Sequence, residues 1–125
     1  MKKSEIIETI DKYELDKSKF IVISGASLVL HDFIESTSDI DIYCNEEYYN
    51  YLLENYNCKF ERINELGKTA YIIDDVINFA DSYKPNNIDI IEGINCSSLR
   101  DILELKEYLN RDKDKEIIRR LKKYF

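Results

Sequence analysis

Asp39 and Asp41 are the residues in this sequence best suited to chemistry, because they flank one isoleucine in the segment "TSDIDIYC" (residues 37–44). The alternation predicts a β-strand over Asp39–Cys44, with both aspartates on one face and the isoleucines on the other. Ionised carboxylates are costly to bury unless they are paired or bound to a cation. Two carboxylates on one face can bind a divalent cation through oxygen, although two solvated acids on an exposed face would give the same pattern.

A third carboxylate, Asp89, lies in the apolar segment "NNIDII" (residues 86–91), which predicts another short strand. If this strand lies beside the one that carries Asp39 and Asp41, three aspartates converge. Such a cluster suits a pair of magnesium ions about 3.5–4 Å apart. The position of the Asp89 strand in the sheet therefore distinguishes a two-metal site from separate surface acids.

The segment "FIVISGAS" (residues 20–27) suggests a seat for phosphate. Its apolar part predicts a strand over Phe20–Ser24, and a helix over 26–33 follows directly after Gly25. Such a turn presents free backbone N–H groups, the positive end of a helix dipole and the Ser27 hydroxyl in one place. Gly25 would let an anion or a neighbouring backbone approach closely. A purely structural strand-to-helix turn would have the same composition.

The remaining elements follow from periodicity and from capping residues. Ser4, Asn45 and Ser98 are candidate N-caps of helices. The further predicted helices cover 5–12, 46–55, 98–110 and 113–124, and the further strands cover 59–63, 69–73 and 76–79. The segment 81–87 is loop by composition. Together these elements predict one mixed α/β (α+β) domain over 1–125, with a mixed-sheet core at about 19–92 and a C-terminal helical pair at about 98–125.

Composition excludes several classes of protein. The 125 residues are 44% hydrophobic and 34% charged, no stretch is apolar enough to cross a bilayer, and the first ten residues do not resemble a signal peptide. We therefore expect a cytoplasmic protein without membrane contact. The net charge of −7 argues against binding long DNA. The basic stretch 113–123 is most simply a solvated helix face, although it could touch a tRNA backbone.

Cysteine and histidine are too few for a soft-metal site. The three cysteines, Cys44, Cys58 and Cys96, lack any C-x-x-C spacing, and His31 is the only histidine. Neither a disulfide framework nor a zinc site is indicated. A metal bound by this chain should be a hard cation held by oxygen ligands.

The motifs, in this order, resemble the nucleotidyltransferase superfamily of DNA polymerase beta type, in its minimal members. The likeness lies in "VISGAS" (22–27), "TSDIDIY" (37–43) and the isolated "IDI" (88–90). The resemblance implies that Asp39, Asp41 and Asp89 are the catalytic, metal-binding acids. It also implies that the turn formed by Ser24, Gly25 and Ser27 holds the nucleotide phosphates.

The segment "LRDILELKEYLNRDKD" (99–114) looks like the helix-turn-helix that follows the catalytic core in abortive-infection-type nucleotidyltransferases. Lys106, Arg111, Lys113 and Asp114 fall at that family's spacing. The resemblance implies that Lys106 faces the nucleotide and that Asp114 helps to complete the site. Surface charges on two adjoining helices are the alternative explanation.

Two positions depart from the family pattern. Ser24 stands where the family usually has the first of two glycines, and Glu35 stands where an arginine often precedes the aspartate turn. An acid in place of a cation near a phosphate site should weaken the binding of a nucleoside triphosphate.

The resemblance implies transfer of a nucleoside monophosphate from a magnesium-bound nucleoside triphosphate (NTP) to an acceptor hydroxyl, with two Mg²⁺ ions and Asp89 as general base. The acceptor is expected among small molecules, tRNA or a partner protein, in a toxin–antitoxin or phage-defence setting. The alternative is a catalytically weak or inactive binding module that regulates or inhibits a protein partner, for which the ten tyrosines would supply contacts. A generic α/β domain with unrelated carboxylates is the third interpretation.

Overall fold

The computed structural model describes all 125 residues and confirms the α+β class. The helices are α1 (Lys3–Lys12), α2 (Ser24–Leu30), α3 (Glu46–Asn55), α4 (Leu99–Leu109) and α5 (Lys115–Tyr124), with a 3₁₀ turn at Asp112–Asp114. The strands are β1 (Phe20–Ile23), β2 (Ile40–Cys44), β3 (Cys58–Ile63), β4 (Thr69–Ile73), β5 (Ile77–Ala80), β6 (Ile88–Ile91) and β7 (Ile94–Ser97). None of the helices is long and apolar enough to cross a membrane.

All seven strands form one mixed sheet in the order β3-β4-β5-β2-β1-β7-β6. Strand β2 is antiparallel to β1 on one side and parallel to β5 on the other. Strand β6 lies at the sheet edge, separated from β2 by β1 and β7. The strand next to the Asp39–Asp41 segment is therefore β5 and not β6.

The two faces of β2 differ as the alternation predicts. Ile40, Ile42 and Cys44 are buried on what we call the core face, where α1, α2 and α3 supply the facing apolar side chains. Asp41 and Tyr43 are only partly buried on the opposite face, which we call the site face. Burial of the core face fixes the register of β2, because a slip of one residue would turn both aspartates into the core.

The C-terminal helices pack on a second, smaller apolar cluster. Leu28 of α2 meets Ile102 and Leu103 of α4 and Leu121 of α5, and all four are nearly inaccessible to solvent. This cluster fixes α4 beside the end of β1. The sequence-predicted helical pair is therefore confirmed, and it borders the site face.

One local prediction was wrong, and one strand was missed. Helix α1 begins at Lys3, so Ser4 lies inside the helix, and Lys2 occupies the cap position, where its backbone N–H donates to the Glu5 carboxylate at 3.0 Å. Strand β7 was not predicted, because its segment "INCS" is short and lacks a β-rich composition. It pairs with β6 through a two-residue turn, Glu92-Gly93, in which both residues have positive φ.

Candidate functional site

An open cleft of about 430 Å³ lies over the site face of β2 and β5, and we call it the carboxylate cleft. Asp39 and Asp41 line its floor together with Asn78 of β5. Its rim is mainly basic and carries Arg62 from β3, Arg111 and Lys113 from the segment that follows α4, and one acid, Glu61. The cleft therefore places two acids at the centre and cations around them.

Asn78 is the central neutral residue of this cleft. The parallel register of β2 and β5 sets Asn78 directly opposite Asp41. The Asn78 Nδ2 donates to Asp39 Oδ2 at 2.7 Å. The Asn78 Oδ1 is buried and has no hydrogen-bond partner. A buried acceptor without a donor is costly in a folded protein, so this oxygen is a candidate ligand for a bound cation.

Asp41 is held in an unfavourable state when it is charged. Burial, and next the negative charge of Asp39, raise the pKa of Asp41 to about 6, although Arg62 and Lys106 act in the opposite direction. The positive rim therefore does not compensate the two acids fully. A cation bound between the two carboxylates would provide the missing charge.

Buried Lys106 and Asp114 form one ionic cluster with the partly exposed Arg111 beside the cleft. Lys106 Nζ donates to one Asp114 oxygen at 2.9 Å, and Arg111 Nε donates to the other at 2.7 Å. Burial would raise the pKa of Asp114, but these two hydrogen bonds outweigh it and leave that pKa below its ordinary value. Asp114 is thus ionised and fixes both cations.

These contacts define the place of each C-terminal residue. Arg111 and Lys113 line the carboxylate cleft, Lys106 lines an adjoining pocket of about 290 Å³, and Ser24 lines both. Asp114 lines neither and reaches the site only through Lys106 and Arg111. The buried Asp114 thus holds the Lys106 and Arg111 side chains next to the cleft and the adjoining pocket.

Asp89 does not join the other two aspartates. It lies on the edge strand β6, paired with Cys96 of β7, which is in turn paired with Val22 of β1 on the core face. Its carboxylate contacts His31 Nε2 at 2.9 Å. The expected three-aspartate cluster is therefore wrong, because Asp89 is three strands from β2 and on the opposite face.

The predicted phosphate turn is only partly available. Ser27 is completely buried and its hydroxyl donates to the Ser97 carbonyl of β7 at 2.7 Å, so its expected contact with phosphates is wrong. Ser24 is partly exposed and has φ +55°, a conformation that favours glycine. A Cβ on Gly25 would lie 2.8 Å from Thr37 Oγ1, so Gly25 serves close packing against the turn before Asp39.

Glu35 and the tyrosines of α3 lie away from the cleft. Glu35 is exposed and is 3.9 Å from the Lys2 ammonium. Tyr48 and Tyr49 are held by hydrogen bonds to Asp16 N–H and the Thr69 carbonyl, and only Tyr51 is largely exposed. The tyrosines therefore serve mainly in packing.

Sequence reasoning missed Asn78 and Arg62. Asn78 stands in "VINFAD" (76–81), where an asparagine on an apolar strand was the available signal. Arg62 stands on an exposed strand whose cleft-facing side depends on a register shift between Phe60 and Arg62. Neither residue belongs to a motif, so only the sheet order could reveal them.

The donor set of the cleft fits a hard divalent cation. Asp39 and Asp41 supply carboxylate oxygens, and the Asn78 Oδ1 supplies an amide oxygen that lacks another partner. No group of three or more histidine, cysteine, aspartate or glutamate residues is arranged to hold a metal. The oxygen donors on the floor of the cleft are therefore two carboxylates and one amide, and no histidine or cysteine joins them.

Comparison with known proteins gives one match. A family model described as "Nucleotidyltransferase of unknown function (DUF6036)" matches residues 2–122, which is nearly the whole chain. No curated protein and no solved structure matches it.

Proposed function

The chain belongs to the DUF6036 family of nucleotidyltransferases, and from this premise we propose that it transfers a nucleoside monophosphate from an NTP to an acceptor hydroxyl in a metal-dependent reaction. We further propose that it belongs to the DNA polymerase beta type and, within it, to the abortive-infection branch. The observation that carries this proposal is the pair Asp39 and Asp41, which lines a cleft with a basic rim and lacks a compensating charge at its centre.

Asp39 and Asp41 would hold Mg²⁺, with the Asn78 Oδ1 as a neutral third ligand. When bound, this ion would neutralise charge on the triphosphate and on the pyrophosphate leaving group. Everything else in the cleft serves to position the substrate. Arg62 and Arg111 both line the cleft, where guanidinium groups can donate to phosphate oxygens.

The ionic cluster on α4 keeps Arg111 and Lys106 in place. The Asp114 carboxylate bonds both side chains, so neither has to be ordered when the nucleotide binds. Lys106 adds positive charge from the adjoining pocket, next to Ser24 and the end of β1. This pocket is the place where we expect the nucleoside to enter.

In the transfer, an acceptor oxygen bonds to the α-phosphorus, and the bond from that phosphorus to the pyrophosphate oxygen breaks. Pyrophosphate leaves with the electron pair. Asp89 lies outside the cleft and cannot act as the base, so the hydroxyl proton passes to water in the open cleft. The acceptor is a small molecule, a tRNA end or a partner protein, and a toxin–antitoxin or phage-defence role would follow from the branch.

A second candidate is a nucleotide-binding module without transfer activity. The observation in its favour is the neutral Asn78 on β5 directly opposite Asp41, where a further acid would strengthen metal binding. Docking through the tyrosines has less support, because most of them are committed to packing.

The test begins with binding. Isothermal titration with MgATP, MgGTP, MgCTP and MgUTP should show binding to the unchanged protein and at least a tenfold weaker affinity after Asp39→Asn. Asp89→Asn is the matched control, because it changes the same residue type outside the cleft, and it should bind like the unchanged protein. Absence of binding by any triphosphate at millimolar concentration would refute both candidates.

Transfer is tested next, with α-³²P-labelled triphosphates and a cell extract as the source of acceptors. Label in RNA, protein or small molecules that depends on Asp39 would support the transferase and identify the acceptor class. Binding without any transfer of label would favour the module.

A further inference from the structure

We propose that Asn78 makes the carboxylate cleft a site for one divalent cation rather than two. This inference rests on the proposed function, because it concerns the cation that Asp39 and Asp41 would hold. It identifies Asn78 as a positioning residue and as the determinant of the number of cations bound.

The charge available in the cleft matches a single ion. Asp39 and Asp41 together carry two negative charges, which balance one divalent cation. Asn78 occupies the position opposite Asp41 on β5 and is neutral. Glu61 also lines the cleft, but from the exposed strand β3, and no three acids are grouped for metal binding. A second ion would have no further acid beside Asp41 to hold it and would be repelled by the first.

The two ends of the Asn78 amide have different tasks. Its Nδ2 donates to Asp39 Oδ2 at 2.7 Å and so fixes the orientation of that carboxylate. Its Oδ1 is buried without a donor and is free to act as a neutral ligand. An aspartate at position 78 could not donate to Asp39 when ionised, and the two carboxylates would repel each other. An asparagine thus gives a preformed arrangement for one ion, whereas an aspartate would add the negative charge that favours a second ion.

The experiment counts Mn²⁺ ions bound per chain by titration calorimetry and by electron paramagnetic resonance, with and without a non-hydrolysable ATP analogue. We expect one Mn²⁺ per chain on the unchanged protein in both conditions, because the ion held by Asp39 and Asp41 is the one that would contact the triphosphate. Asn78→Asp should bind one more, with the spin–spin broadening of two close Mn²⁺ ions. Asn95→Asp is the matched control, because it adds the same charge on β7 outside the cleft, and it should not change the count.

Asn78→Ala provides an independent arm if Asn78→Asp does not fold. Loss of a group that orients a metal ligand weakens metal affinity by roughly 10–100-fold, and we expect a loss of this size at an unchanged count of one. A purely structural Asn78 would leave the Mn²⁺ affinity unchanged in folded Asn78→Ala, which would overturn the inference.

The outcomes separate the inference from the proposed function. Two close Mn²⁺ ions on the unchanged protein would overturn the inference and leave the metal-dependent transferase standing. A count of one for folded Asn78→Asp would also overturn the inference alone. No Mn²⁺ on the unchanged protein would overturn both.

Discussion

Replacing Asp41 by asparagine should stabilise the metal-free protein while it removes cation binding. Asp41 is partly buried beside Asp39, and burial with that second charge raises its pKa from an ordinary value of 3.8 to about 6. The charged form of Asp41 is therefore less favourable in the folded chain than in the unfolded chain. An asparagine side chain at this position would keep the shape and carry no charge.

The size of the gain follows from the pKa difference. A shift from 3.8 to about 6, at about 1.36 kcal/mol per pKa unit, corresponds to about 3 kcal/mol in the free energy of unfolding. The folded chain binds more protons than the unfolded chain in this range, so this term lowers stability as pH rises through the two values. The gain from Asp41→Asn should therefore approach about 3 kcal/mol at pH 8 and fall well below about 1 kcal/mol at pH 4.

The assay is urea unfolding in the presence of a chelator at pH 4, 6 and 8. Adding Mg²⁺ at pH 8 should offset this gain, because an ion at 100 times its dissociation constant stabilises the unchanged protein by about 2.7 kcal/mol and leaves the variant unaffected. Asp75→Asn is the control, since Asp75 is exposed and should change stability little at any pH. A loss of stability for Asp41→Asn at pH 8 with chelator, or a gain independent of pH, would refute this account of the cleft.

Two further substitutions test the elements around the cleft. Asp114→Asn leaves the buried Lys106 ammonium, and the partly exposed Arg111, without their acid and should cost about 3–5 kcal/mol by urea unfolding. A loss below about 1 kcal/mol would show that the cluster is unimportant for stability. Gly25→Ala places a Cβ 2.8 Å from Thr37 Oγ1 and should cost about 1–3 kcal/mol by thermal unfolding, whereas an unchanged melting temperature would show that the turn before Asp39 adapts freely.

Local periodicity carried most of the fold that the sequence could predict. The alternation in β2 placed Asp41 and the buried isoleucines on the correct faces, because a buried face tolerates no other register. Asn45 and Ser98 were correct as caps, since each side chain accepts a backbone N–H at the start of its helix. The predicted cap at Ser4 was wrong, because the helix begins at Lys3 and the Glu5 carboxylate accepts the Lys2 backbone N–H at its start.

Sheet order is a long-range property that no local pattern contains. "IDII" and "INFA" are both short apolar strands with one polar residue, and the sequence offered no reason to place the second beside β2. The choice depended on β1, which pairs with both β2 and β7 and so separates β6 from the aspartates. Asp89 was selected because it is an acid, although its strand lies at the sheet edge.

The same choice explains why the central residue of the site escaped notice. A search of the sequence for acidic residues does not select an asparagine. Asn78 lies opposite Asp41 because of the register between β2 and β5, which the local sequence does not contain. Its amide donates to Asp39 and leaves a buried oxygen unpartnered, a combination that an aspartate could not provide. The departure from three acids is thus a specific property of this site, and its consequence is the number of cations that Asp39 and Asp41 can hold.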